Sequence, residues 1–214
     1  MADKKKQILE AAIRCFARKG FRAASIQDIV DELGMAKGSI YFYFKSKDDL
    51  YVSVLEHYGD LLQSELEEHY GERELPPRQR LELQLERQFR FFRKHLDFLK
   101  TLVTESGIGL NPDIQQVLHK FQARYRLWSV SHLRAIYGER AEPYSADVTA
   151  LFSGMSMHMM DTLLTHTARA DEAELSRYIV RRLDDIVRGL VESEERTIVP
   201  PWEWSQLLLE AGRL

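Results

Sequence analysis

The stretch from Ser25 to Lys47, SIQDIVDELGMAKGSIYFYFKSK, decides the fold of the first part of the chain. Ser25 is a favourable N-cap residue, because its hydroxyl accepts a hydrogen bond from the free amides of a first helical turn. Apolar residues then recur at helical spacing and form one stripe: Ile26, Ile29, Val30 and Leu33. Gly34 follows, at the point where many helices end in the left-handed conformation. The pattern predicts a short helix that stops at Gly34.

A second short helix is predicted directly after this turn, over residues 37–42. Together with Tyr43, which directly follows, it offers a cation, a hydroxyl, two phenols and, at Gly38, one position without a side chain. A glycine costs a helix roughly 1 kcal/mol relative to alanine, so its presence favours close approach to a phosphodiester backbone. Two short helices around a glycine-containing turn form the helix-turn-helix pattern, whose second helix lies in the DNA major groove.

The first fifty residues resemble the DNA-binding domain of the TetR family of transcriptional regulators. The residues that carry the resemblance are Ile8, Leu9, Ala11, Ala12, Phe16, Gly20, Phe21, Ser25, Ile29, Gly34, Lys37, Gly38, Ile40, Tyr41, Tyr43, Phe44, Lys47 and Leu50. One residue departs from the family pattern. Ala36 stands where the family usually has a Ser or Thr that caps the recognition helix and touches phosphate. The resemblance implies a homodimeric, ligand-responsive repressor.

Seven residues are predicted to contact double-stranded DNA: Ser25, Lys37, Gly38, Ser39, Tyr41, Tyr43 and Lys47. We assign Tyr43 and Lys47 to phosphate, because Lys47 lies at the start of the next predicted helix, whose free amides also bind anions. The three side chains assigned to base edges are Lys37, Ser39 and Tyr41. Gly38 is assigned to close approach.

Composition and charge are compatible with a folded DNA-binding protein. The chain has 214 residues, of which 44% are hydrophobic and 29% are charged, which argues against disorder. Residues 1–50 hold ten Lys/Arg against seven Asp/Glu, a net charge of +3, whereas residues 51–214 hold twenty against twenty-six, a net charge of −6. The positive part therefore coincides with the helix-turn-helix, as binding through phosphates requires.

No segment of the sequence indicates export or membrane insertion. No apolar run approaches the roughly 18 residues of a membrane-spanning helix, and no apolar signal region follows the N-terminal lysines. The single cysteine, Cys15, forms no internal disulfide and suits a reducing compartment. We expect Cys15 to be a small buried hydrophobic residue and the protein to be cytoplasmic.

Helical periodicity continues to the end of the chain without a strand pattern, so we predict an all-α protein of about ten helices. The first helix is predicted over residues 3–19 and ends at Gly20. Phe42 and Phe44 are predicted to lie in the core of the DNA-binding domain. The later helices are predicted over residues 46–70, 78–105, 113–137, 145–167 and 171–195. We divide the chain into a three-helix DNA-binding domain, residues 1–47, and a helical effector-binding and dimerisation domain, residues 48–214.

The last two long helices carry more apolar and small residues than one side of a bundle needs. We therefore predict a two-fold, four-helix dimer interface, the arrangement that the family resemblance also implies. Its predicted residues are Ala150, Gly154, Met157, Leu175, Ile179, Leu183, Ile186 and Leu190.

The central helices are rich in aromatic residues and methionine, which suit a pocket that repacks around apolar ligands. The predicted pocket residues are Phe89, Phe92, Leu96, Leu99, Phe121, Tyr125, Trp128, Met155, His158 and Met159. His158 and His166 are candidate polar anchors, and Arg90, Arg93 and Arg124 border the set. The expected effector is mainly hydrophobic, such as a drug-like aromatic or a fatty acyl compound.

Two other classes of protein are weighed against this one. An architectural or partner-binding DNA protein would have the same helix-turn-helix but no effector. An enzyme is disfavoured, because the sequence contains no H-E-x-x-H, G-x-S-x-G, phosphate-binding glycine loop or C-x-x-C. We predict no metal, no cofactor and no catalytic residues.

Overall fold

The computed structural model describes residues 2–209 except 68, 106–111, 166–170, 195, 201, 203–205, 207 and 208. These described residues form nine α-helices and two 3₁₀ helices, with no strand, so the predicted all-α fold is confirmed. The α-helices are α1 (Ala2–Ala23), α2 (Ile26–Leu33), α3 (Lys37–Tyr41), α4 (Lys47–Leu66), α5 (Pro77–Lys94), α6 (Leu96–Glu105), α7 (Pro112–Tyr137), α8 (Ser145–Thr165) and α9 (Glu172–Ser193). The 3₁₀ helices are Glu72–Glu74 and Glu139–Tyr144.

Two helix boundaries differ from the sequence-based prediction. Helix α1 does not end at Gly20 but is kinked there, with φ 79° and ψ 158°, and continues to Ala23. The helix predicted over residues 78–105 is interrupted at His95, although neither glycine nor proline lies there. The interruption brings the His95 ring edge-on to Tyr58, with 5.5 Å between centroids. A tertiary contact therefore accompanies a break that local signals do not show.

Contacts divide the chain into two compact units, the first comprising residues 1–64 and 92–118. Its core is built on α1, where Ile8 and Phe16 are fully buried, and Cys15 is buried as predicted. Phe16 packs edge-on against Tyr51 of α4, with 5.4 Å between centroids. Because α4 packs on α1 in this way, the first unit does not end at the predicted boundary after residue 47.

The second unit comprises residues 65–91 and 119–214. Helices α8 and α9 pack on each other, and the core includes Leu85, Phe152 and Ile179, which are 0–2% exposed. Arg87 of α5 binds three residues at the beginning of the unit, between positions 65 and 72. Its guanidinium pairs with Glu72 and donates to the carbonyl oxygens of Glu65 and Glu67, each at 2.9 Å.

The segment after α9 is held on the second unit by a carboxylate. Oδ2 and Oδ1 of Asp147, in the first turn of α8, accept hydrogen bonds from the amides of Ile198 at 2.8 Å and Val199 at 2.7 Å. The Arg126 guanidinium lies 5.6 Å from the ring centroid of Trp202. These contacts give the beginning of the C-terminal segment a defined position beside α7 and α8.

Candidate nucleic-acid interface and the other predicted sites

Helix α2 begins with a complete capping box. The Asp28 amide donates to the Ser25 hydroxyl at 3.2 Å, and the Ser25 amide donates to the Asp28 carboxylate at 2.8 Å. Lys19 of α1 also donates to Asp28, at 2.6 Å. Hydrogen bonds from Lys19 and Ser25 lower the pKa of Asp28 to about 2. The Ser25 side chain therefore caps α2, while Lys19 joins this end of α2 to α1.

The turn between α2 and α3 depends on one left-handed residue. Gly34 has φ 61° and ψ 33°, a conformation that side chains disfavour, and its amide donates to the carbonyl of Asp31. The Met35 amide donates to the Val30 carbonyl at 3.0 Å and closes the turn. Ala36 then precedes α3 with no side-chain cap. The first amides of α3 are thus left without a local side-chain acceptor.

Helix α3 is anchored by one residue and exposes most of the others. Ile40 is fully buried, which turns the remaining side chains outward. Lys37, Gly38 and Tyr41 are exposed, Tyr41 by 50%, while Ser39 is half-buried. A Cβ atom added to Gly38 would meet no atom within 4 Å. The face predicted to enter the major groove is therefore open.

The prediction that Phe42 belongs to the core is wrong. Its side chain is 71% exposed, whereas Phe44, two residues later, is 2% exposed as predicted. The helix ends at Tyr41, so helical spacing no longer determines where Phe42 points. Its ring lies edge-on to Tyr43, with 5.1 Å between centroids. Phe42 extends the exposed aromatic surface that begins at Tyr41, and the sequence reading missed it.

Lys47, assigned to phosphate, is held in place by the first unit. Its ammonium lies 4.5 Å from the centroid of the Phe21 ring and donates to the Arg22 carbonyl at 3.1 Å. An ammonium has three donors, of which this contact uses one. The predicted N-cap of α4 is also present, because the Asp49 amide donates to the Ser46 hydroxyl at 3.0 Å.

Ion pairs neutralise much of the positive charge of α1. Arg14 pairs with Glu32 at 2.7 Å, Arg18 pairs with the same carboxylate, and Lys19 pairs with Asp28. Burial alone would raise the pKa of Glu32, but the two arginines outweigh it and hold that pKa below its ordinary value. These cations therefore hold α2 on α1. The cations that remain on or beside α3 and the start of α4 are Lys37, Lys45 and Lys47.

The helix-turn-helix region matches a known family. The model for bacterial regulatory proteins of the tetR family matches residues 8–54. Over 203 residues the chain is 36% identical to the HTH-type transcriptional regulator YerO of Bacillus subtilis, covering 93% of this chain and 70% of that protein. The chain belongs to the TetR family. It is therefore a DNA-binding transcriptional regulator, and its relatives are regulators rather than enzymes.

Solved structures show the same fold. A transcriptional regulator from Pseudomonas aeruginosa PAO1 superposes with a TM-score of 0.72 at 21% identity, covering 91% of this chain and 95% of that one. FadR of Bacillus subtilis, solved in complex with stearoyl-CoA, gives a TM-score of 0.65 at 19% identity, covering 83% and 96%. At these identities the likeness to both structures concerns the fold alone.

Among the described residues no group of three or more His, Cys, Asp or Glu is placed to hold a metal ion. No helix in the described part of the chain is both long and apolar enough to cross a membrane.

The predicted effector residues are divided between the two units. Phe92, Leu96 and Leu99 lie in the first unit and the other seven lie in the second. Within the second unit, Phe89 is buried, His158 is exposed, and the remaining five are half-buried: Phe121, Tyr125, Trp128, Met155 and Met159. His158 is therefore not the inward polar anchor that was predicted, and His166 lies outside the described residues.

A different histidine accompanies Trp128 in the interior. Trp128 Nε1 donates to Gln84 Oε1 at 2.7 Å, and His132 Nε2 lies 2.9 Å from the same oxygen. The rings of Trp128 and Tyr125 lie 5.5 Å apart. Neither Gln84 nor His132 was predicted to belong to the site. Helical spacing offered a signal only for His132, which follows Trp128 by one turn.

The predicted dimer residues also separate into two groups. Ala150, Gly154 and Met157 of α8 are exposed, Met157 by 59%. Three residues of α9 are instead 0–2% exposed and fill the core of the second unit: Leu175, Ile179 and Leu183. Ile186 and Leu190 are half-buried. The interface prediction is therefore revised for the three core residues, since a partner subunit cannot reach them.

An open groove of about 320 Å³ lies along α9, and none of the predicted effector residues lines it. It is lined by Tyr137, Arg140, Ala141, Asp184, Val187, Arg188 and Val191. The Tyr137 hydroxyl donates to Asp184 at 2.8 Å, and Arg78 pairs with the same carboxylate. Two polar groups of the lining, Tyr137 and Asp184, are thus already engaged within the fold.

Proposed function

We propose that the protein is a homodimeric repressor that binds a palindromic operator and is released from it by a small molecule. The observation that carries the proposal is the open face of α3 in a chain of the TetR family. Ile40 anchors the helix while Lys37, Gly38 and Tyr41 face outward. In a two-fold dimer, two such helices would enter successive major grooves about 34–36 Å apart.

The DNA contacts fall into two classes in this proposal. Lys47 and Tyr43 bind phosphate, because Lys47 is fixed beside the N-terminus of α4, where free amides also favour an anion. Lys37, Ser39 and Tyr41 reach base edges. Phosphate contacts position a protein on any DNA sequence, whereas base contacts discriminate between sequences.

Operator binding at several salt concentrations tests this division, measured by fluorescence anisotropy with two variants. Lys47→Ala should weaken binding to all sequences and reduce the salt slope by about one phosphate. Lys37→Ala should reduce the affinity for non-specific DNA less than Lys47→Ala does. It should instead relax discrimination at particular base pairs. The assignment is wrong if Lys47→Ala alters sequence preference and leaves the salt slope unchanged.

The dimer surface proposed here is the exposed side of α8. Gly154 lies on that side, and a Cβ atom added there would meet nothing within 4 Å in the single chain. Gly154→Leu should therefore fold normally but hold two subunits apart. Sedimentation velocity should show a shift towards monomer, with a parallel loss of operator affinity. Ser193→Ala, near the end of α9, serves as the control. A fully dimeric Gly154→Leu protein would place the interface elsewhere.

The effector is proposed to bind among the aromatic residues and methionines of the second unit. Trp128, Tyr125 and Phe89 belong to this set, and methionines at residues 155 and 159 can repack around different ligands. A coupling free energy of about 1–3 kcal/mol between effector and operator would lower operator affinity roughly 5- to 150-fold. The FadR structure contains stearoyl-CoA, whose long acyl chain supports a ligand with an apolar part within this fold.

A screen for operator release separates this proposal from an architectural DNA-binding role. Lipophilic compounds that stabilise the protein in a thermal-shift assay should also release the operator. Phe89 is 1% exposed, so its truncation would damage the core. The better variant is Phe121→Ala, whose half-buried ring should matter more for ligand than for folding. Release only by sugars or free metal ions would contradict the proposed ligand class, and the absence of any releasing compound would favour the architectural role.

A further inference from the structure

The interior of the second unit contains a polar centre that an apolar helical bundle does not require. Gln84 is 1% exposed, and its side-chain oxygen faces both Trp128 Nε1 and His132 Nε2, at 2.7 and 2.9 Å. An indole nitrogen can only donate, so the Gln84 atom it meets must be the carbonyl oxygen. His132 Nε2 must then also carry a hydrogen. Gln84 thus fixes the orientation of two ring side chains around one acceptor.

Helix α8 buries two hydroxyls on either side of Phe152, the residue that stacks on Trp128. Thr149 is 3% exposed and Ser156 is 5% exposed, and neither hydroxyl has a hydrogen-bond partner among the described residues. They are seven residues apart, which places them on one side of the helix about 10 Å from each other. Phe152 lies between them and stacks on Trp128, with 6.3 Å between ring centroids.

Unpaired hydroxyls of this kind need an explanation. A buried polar group without a partner destabilises the folded state, and most such groups in proteins are paired. Valine and alanine would fill the two positions with nearly the same shape and no polar atom. Thr149 and Ser156 therefore contribute nothing evident to the stability of the ligand-free fold. A ligand that supplies hydrogen-bonding atoms at both positions would account for them.

The charge of the surroundings limits which ligand fits. The side chains of this cluster, Gln84, Tyr125, Trp128, His132, Thr149 and Ser156, include no lysine, arginine or carboxylate. The Tyr125 hydroxyl hydrogen-bonds to Ser153, and desolvation raises the pKa of Tyr125 to about 12, so the phenol is uncharged at neutral pH. Transfer of an ionised ligand from water into such a site is costly unless an opposite charge meets it.

We propose that this cluster binds and recognises the effector. The effector is an uncharged compound with a flat apolar body and a hydroxyl or carbonyl group towards each end. The apolar body lies against Trp128 and Phe152, while the hydroxyls of Thr149 and Ser156 bond its polar groups. The inference rests on the proposed effector-dependent function. It narrows the expected ligand class, because it excludes fatty acids and other anions as well as purely hydrocarbon compounds.

The first test uses the ligand-free protein and asks whether the two hydroxyls serve the fold. Thr149→Val and Ser156→Ala should each raise the midpoint of thermal unfolding by about 2–4 °C, because each removes an unpaired buried hydroxyl. Thr162→Val is the matched control in the same helix, since the Thr162 hydroxyl already donates to the His158 carbonyl at 2.9 Å. It should give no increase. A clear loss of stability in Thr149→Val and Ser156→Ala would mean that both hydroxyls are structural, and would overturn the inference.

The second test measures ligand affinity with three probes that share one biphenyl body: biphenyl, 4,4′-dihydroxybiphenyl and biphenyl-4,4′-dicarboxylate. Quenching of Trp128 reports binding once Trp202 and Trp204 are replaced by Phe. The dihydroxy compound should bind at least about tenfold more tightly than biphenyl, and the dicarboxylate should bind most weakly. Thr149→Val and Ser156→Ala should each weaken binding of the dihydroxy compound about tenfold and leave biphenyl unchanged, since one hydrogen bond of about 1.4 kcal/mol corresponds to that factor.

The outcomes separate this inference from the function on which it rests. Equal affinity for biphenyl and its dihydroxy derivative, or the tightest binding by the dicarboxylate, would overturn the hydrogen-bonding site while leaving an effector-responsive regulator intact. If none of the three probes binds, the inference fails. The proposed effector response itself fails only if, in addition, no compound of the lipophilic screen releases the operator. Operator binding by the ligand-free protein is independent of both.

Discussion

The recognition region, from α2 to the start of α4, and the bundle of α5, α7, α8 and α9 contrast in how their functional residues are specified. In the recognition region, partners lie close in sequence: Ser25 caps α2 through Asp28, and Gly34 turns the chain within one residue. In the bundle, partners are distant, as with Gln84 and Trp128, 44 positions apart. A local motif can be read from the sequence directly, whereas a site assembled across helices requires the packing to be known.

Within the recognition region, the exposed Phe42 and the buried Phe44 give the largest expected difference in stability. Phe44→Ala should destabilise the protein by about 3–5 kcal/mol, because its ring is buried and leaves a cavity. Phe42→Ala should change the free energy of unfolding little, within about 0.5 kcal/mol, but should weaken operator binding, because its exposed ring adjoins α3. Urea denaturation and operator anisotropy measure the two quantities. Equal destabilisation by both variants would contradict the difference in burial.

In the second unit, the ion pair of Arg87 and Glu72 gives the next effect. Their side chains are 13% and 10% exposed, so Arg87→Ala leaves a nearly buried carboxylate without its partner and should cost about 3 kcal/mol. Arg90→Ala is the control, since Arg90 pairs with Glu86 while 63% exposed, and it should cost less than about 1 kcal/mol. Similar unfolding midpoints in urea for the two variants would show that the buried pair contributes little.

The same pair predicts a dependence of stability on pH. Burial alone would raise the pKa of Glu72, but the hydrogen bonds and charge of Arg87 outweigh it and lower that pKa below its ordinary value of 4.5. A lowered carboxyl pKa contributes stability that is present above the ordinary value and lost as the pH falls through the folded-state value. The stability advantage of the native protein over Glu72→Gln should therefore shrink below about pH 4.5. A constant difference between pH 7 and pH 3 would argue against an ionised Glu72 in the native pair.

Two glycines of the recognition region give the smallest effect, with opposite signs. Gly34→Ala should destabilise the protein by about 1 kcal/mol, because φ at Gly34 is 61°. Gly38→Ala should stabilise α3 by up to about 1 kcal/mol, because Gly38 is helical and an added Cβ meets no atom. If DNA approaches Gly38 closely, this more stable variant should bind operator more weakly. Unchanged affinity would remove Gly38 from the DNA contacts.

Several features could be predicted from the sequence because their causes are local. The all-α fold follows from apolar residues at helical spacing. The ends of α2 follow from Ser25 and Gly34. The break at His95 could not be predicted, because the residues around it carry no helix-stopping signal and the contact with Tyr58 lies 37 positions away.

The helix-turn-helix follows from the sequence alone, because capping and a left-handed turn act over three or four residues. Packing between distant helices, in contrast, sets which apolar stripe faces the core and which stays open. Leu175 and Ile179 on α9 have the same helical periodicity whether they meet α8 or a partner subunit, and burial shows that they belong to the monomer. In the same way, His132 rather than His158 lies inside, because a side chain's burial depends on which other helices cover it.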